Sequence, residues 1–181
     1  MVVDTNPPSA PATSSGTSRS AGSDRLLRIY LADHRAGAAA GLARAQRFAA
    51  ANAVSFLADD AAAVCRAIEH DVTTLDEIID RLECRPSRSK MLIARAAEFI
   101  GRLKPNGKLR GYSPLSRLIE VEVLVAGIRT KESLWRSLSV LQQGRSDLAG
   151  FDFDDLQRRA RDQCTQLEAH RVATVEEALR P

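Results

Sequence analysis

The chain has 181 residues, of which 44% are hydrophobic, 27% charged and only 4% aromatic, with a formal net charge of +3. That length supports one core, and the composition excludes collagen-like, low-complexity and disulfide-framework chains. Abundant alanine is the best helix former and lets helices approach closely, which favours an all-α protein.

In chain order, residues 1–23 are rich in Pro, Ser, Thr, Ala and Gly and read as a disordered tail, because they hold too little apolar surface to offset ordering entropy. Residues 24–181 read as one helical bundle domain. The first helix is expected from about Asp24 to Ala51, capped by Ser23 or Asp24 and ending near Asn52. A second follows with Ser55 as its cap and Asp59 and Asp60 in its first turn, and continues to about Glu83. Arg85-Pro86 stops it. A shorter third helix spans about Arg88–Leu103, followed by a Lys104-Pro105-Asn106-Gly107 turn. Ser113-Pro114 opens a fourth helix in the order cap, then proline, running to about Gln143 with Gly144 as the closing glycine. Asp152, with Asp155 three residues later, opens a fifth that runs to about Leu179. No segment alternates with period two.

Four long helices of about 40–45 Å each and a shorter middle one fit two topologies. One is a five-helix up-down bundle. The other is a four-helix bundle with a long crossover, of the ferritin-like type, and the shortness of the middle helix favours it.

Two polar residues interrupt the apolar stripes. On the first helix the spacing selects Leu27, Leu31, His34, Ala38, Gly41, Ala45 and Phe48. On the second it selects Ala61, Val64, Ile68, Asp71, Leu75, Ile78 and Leu82. An imidazole or carboxylate in a core needs a partner or loses its charge. The predominant expectation is a structural one, in which His34 and Asp71 bond each other, or Arg and Tyr side chains, and fix helix register. A second reading is a single divalent metal ion held by His34, Asp71, Glu122 on the fourth helix and His170 on the fifth. A di-iron centre is disfavoured because no Glu-x-x-His occurs. No cofactor is otherwise expected.

Charge gives a third reading. Between Arg85 and Arg117 lie nine basic residues and one acid, Glu98. Within that segment Arg102, Lys104, Lys108 and Arg110 form a candidate anion-binding surface for nucleic acid or anionic lipid. Only Phe99 and Tyr112 there could stack on bases.

Gly37 and Gly41, four residues apart, are expected to mark a close helix crossing. Trp135 falls one heptad after Ile128 and reads as core. Three cysteines, Cys65, Cys84 and Cys164, form no Cys-x-x-Cys pair and read as reduced thiols. With no apolar span and no basic-then-apolar leader, a cytoplasmic protein without a transmembrane segment is expected. Phosphate-loop, nucleophile-elbow and HExxH signatures are absent from the sequence. These features lean away from an enzyme. They favour a binding or interaction protein whose ligand the residues do not name, with a protein partner or self-association as further expectations.

The stretches Tyr30-Leu-Ala-Asp-His-Arg-Ala-Gly37 and Gly101–Glu120 resemble those of alanine-rich, uncharacterised actinobacterial helical proteins, over about residues 25–180. The resemblance implies a small cytoplasmic helical protein and assigns no catalytic site. The likeness to ferritin-like bundles is one of architecture alone, which does not confer function.

Overall fold

The computed structural model describes residues 15–84 and 113–180. They form α1 (Ser15–Ala51), α2 (Ala58–Arg81), α3 (Pro114–Gln142), a single 3-10 turn (Ser146–Leu148) and α4 (Phe153–Leu179), with no strand among the described residues. The protein is all-α. The expected helix over 88–103, and with it Arg102, Lys104, Lys108 and Arg110, lies outside the described residues, as do residues 1–14. None of the described helices is long and apolar enough to cross a membrane.

The helix ends follow local chemistry. Ser113 caps α3, its Oγ accepting from the Ser116 amide at 3.1 Å, with Pro114 in the first turn. Asp152 caps α4 by accepting from the Asp155 amide at 2.8 Å. Both caps satisfy amides that the first turn leaves without carbonyl partners. Three other ends differ from expectation. α1 begins at Ser15, upstream of Ser23. Ser55 does not cap α2, which starts at Ala58; its hydroxyl instead donates to the Asn52 carbonyl and accepts from the Leu57 amide, bracing the α1–α2 turn. At the end of α3, Gln142 Nε2 donates to the carbonyls of Leu148 and Phe151, and the left-handed residue of that connection is Gly150 (φ +89°) rather than Gly144.

α2 ends in a Schellman closure. The Cys84 amide reaches the Ile79 carbonyl at 2.9 Å and the Glu83 amide reaches Asp80 at 3.1 Å, with Glu83 at φ 51°. The helix is therefore already closed before Arg85-Pro86.

Cross-helix pairs set the topology. Tyr30 Oη donates to Ser137, Arg145 reaches Asp24, and Arg117 donates to Asn52 Oδ1, so α1 and α3 run antiparallel. Arg35 on α1 pairs with Asp76 on α2. Asp60 on α2 meets His170 on α4, while Asp71 meets Arg159. α2 and α3 therefore run parallel to each other and antiparallel to α1 and α4. Cys84 and Ser113 accordingly sit at opposite ends of the bundle, a requirement that both expected topologies share.

The core follows the stripes. All seven stripe residues of α2, Asp71 included, are buried. On α1 the ends of the stripe are buried, at Leu27, Leu31, Ala45 and Phe48, but His34, Ala38 and Gly41 are only partly so. Trp135 is fully buried, as its heptad position implies. The three cysteines are free, and burial pushes each thiol up from its ordinary pKa. They are small core side chains rather than nucleophiles.

Candidate functional site

The partly exposed middle of α1 is where the site lies. The antiparallel register places Gly41 opposite Gly127 and Gly37 opposite Lys131. A Cβ built on Gly37, Gly41 or Gly127 meets nothing within 4 Å. The Gly37–Gly41 spacing therefore does not mark a close crossing. With only Gly and Ala from 36 to 41, α1 has no side chain long enough to reach α3 there, and space is left between them.

That space is a cavity of about 620 Å³ between α1, α2 and α3. Ile68, Val72, Leu75, Leu124, Ile128 and Leu134 form much of its wall. Its polar lining is Asp33, His34, Arg44, Arg47, Asp71, Thr130 and Lys131, with Trp135 alongside. This is the usual constitution of a small-molecule site, an apolar concavity with a few placed polar groups.

Behind the cavity lies a buried charge cluster drawn from three helices. Asp71 is 2% exposed. It lies on the α2 stripe because the periodicity puts it there, and it survives burial because both carboxylate oxygens find donors. Arg159 of α4 donates to Oδ1 at 2.7 Å, while Lys131 of α3 and Gln163 of α4 both donate to Oδ2, the latter at 3.1 Å. Lys131 also donates to Gln163 Oε1 at 2.6 Å, and Arg159 bonds His70 Nδ1 at 2.9 Å. Burial pushes the Lys131 ammonium below its ordinary pKa, while Asp71 opposes the shift. Two cations surround one carboxylate, so the cluster carries an excess positive charge next to the cavity.

The sequence-derived candidates separate in the fold. His34 and Asp71 line the same cavity but do not pair. His34 packs edge-on against Tyr30, with ring centroids 4.5 Å apart, and burial lowers its pKa against the opposing pull of Asp33. Asp71 takes the Arg partner that the structural reading allowed, along with Lys131. His170 bonds Asp60 Oδ2 at 2.6 Å on the α2–α4 side. Glu122 is exposed on α3 in the field of Arg171. Among the described residues no three of His, Cys, Asp and Glu converge to hold a metal ion.

Sequence reasoning missed Lys131, Arg159 and Gln163. Lys131 falls three residues after Ile128 and four before Trp135, so the α3 stripe itself passes through it; that is the signal that was present. Arg159 and Gln163, four residues apart on α4, show nothing comparable until Asp71 is placed between them. No family model, curated protein or solved structure matches this chain.

Proposed function

We propose that the protein is a non-enzymatic ligand-binding bundle of the ferritin-like type, and that the cavity between α1, α2 and α3 receives a small, largely apolar molecule. The observation that carries this reading is the volume left where the Gly- and Ala-rich segment of α1 faces Gly127. The space opens to solvent along Gly37 and Gly127, which are exposed, so a ligand can enter it, and while it is empty its apolar wall lacks packing partners. A binding site has reason to keep it. The cytoplasmic location expected from the unpaired cysteines belongs to the same reading. Nothing among the described residues favours the metal or polyanion alternatives over it.

Octanol, uncharged and apolar, is a suitable probe for calorimetric titration. Gly41→Leu and Gly127→Leu each place a side chain in the cavity without a clash at Cβ. Both should abolish octanol binding while the melting temperature holds or rises, since leucine is better than glycine in a helix by about 0.8 kcal/mol. Wild-type protein that takes up no octanol, or variants that bind it as before, would remove the cavity from consideration as a site.

A further inference from the structure

We propose that the ligand carries one anionic head, a carboxylate on an apolar body, which accepts a hydrogen bond from Lys131 Nζ. This rests on the cavity reading and adds the chemical class of the ligand.

Two observations lead there. First, a lysine ammonium has three donors. Among the described residues Lys131 uses one on Asp71 and one on Gln163, which leaves one on a side chain that lines the cavity.

Second, the charge balance asks for an anion. Lys131 and Arg159 share the single carboxylate of Asp71, and the remaining positive charge sits beside an apolar volume where it is poorly solvated. Arg44 and Arg47 add positive charge to the lining, with Asp33 the only acid there, among the described residues, besides the already neutralised Asp71. A carboxylate would complete the cluster, while its apolar body would cover Leu124, Leu134 and the Gly41–Gly127 space. Charge-assisted hydrogen bonds of this kind are roughly twice as strong as neutral ones.

Calorimetric titration of the full chain with octanoate and with octanol separates the two claims. Octanoate should bind at least about tenfold more tightly than octanol, the worth of one hydrogen bond to a charged group. Lys131→Gln should erase that preference, bringing octanoate down to the affinity of octanol. Arg44→Gln removes a positive charge from the lining at a partly exposed position, so it should weaken octanoate severalfold; it carries the test alone if Lys131→Gln fails to fold. Equal affinity for the two probes, or octanoate binding unchanged in both variants, would overturn the anionic head while the cavity reading stands. If neither probe binds the wild-type protein, both fall together.

Discussion

Asp71→Ala is expected to destabilise the fold by about 3–5 kcal/mol, the range found when one partner of a buried ion cluster is removed. The substitution strands Lys131, whose side chain is only 16% exposed, with Gln163 as its remaining bond acceptor and Arg159 as a like charge close by. The pH dependence follows from the direction of the lysine shift. Burial already lowers Lys131 below its ordinary 10.5, and Asp71 is what resists further lowering. Without the carboxylate the folded-state pKa drops further. The unfolded chain then holds a proton that the folded chain releases, so stability rises with pH between the lowered pKa and 10.5. Denaturant melts of Asp71→Ala should therefore recover part of the loss between about pH 7 and pH 10. Adding Lys131→Met should restore much of it at neutral pH, because the charge that lost its partner is gone. A loss below 1 kcal/mol, or one that Lys131→Met deepens, would mean that the cluster is not coupled as its distances imply.

Trp135→Ala should cost a comparable amount, about 3–5 kcal/mol, as for other large-to-small changes at a fully buried aromatic. Trp135 is 0% exposed and belongs to the same buried core as Leu134 and Leu138. The site cannot collapse to recover the contacts, because α1 offers only small residues at the level just beyond it. Trp135→Phe should be far milder, within about 1.5 kcal/mol, since the lost ring contacts are partly offset by removing an indole N–H that has no partner among the described residues. Paired chemical denaturation curves measure the contrast. Similar losses in both variants would show that the N–H, rather than the ring's volume, is what the fold depends on.

Much of the fold is legible because it rests on local rules. The Ser113-Pro114 and Asp152 caps, the α2 stripe and the buried Trp135 are each written within a few residues of the feature they produce. Where local rules compete, the reading slips. Ser55 has the chemistry of a cap but is used to brace a turn, and Glu83 enters the left-handed region without being glycine, because the closure bonds of α2 hold it there. The site was half legible. Periodicity singles out His34 and Asp71 correctly as polar interruptions facing one interior. It cannot say that Asp71 is met by Lys131 and Arg159, because those partners arrive from helices 60 and 88 residues away. The Gly37–Gly41 spacing shows the limit most clearly. Small residues permit either close approach or empty space, and the choice depends on what stands opposite. Here Gly127 stands opposite, and two small surfaces facing each other leave a cavity.

The central claim, that this volume is a ligand site with a largely apolar wall, is tested most directly by a crystal structure of the full chain under xenon pressure. Xenon enters apolar cavities that water leaves dry. Xenon density is expected against Gly41, Gly127, Leu124 and Leu134, lost in Gly127→Leu. Side chains closed over that space, or ordered water filling it with no xenon bound, would contradict it.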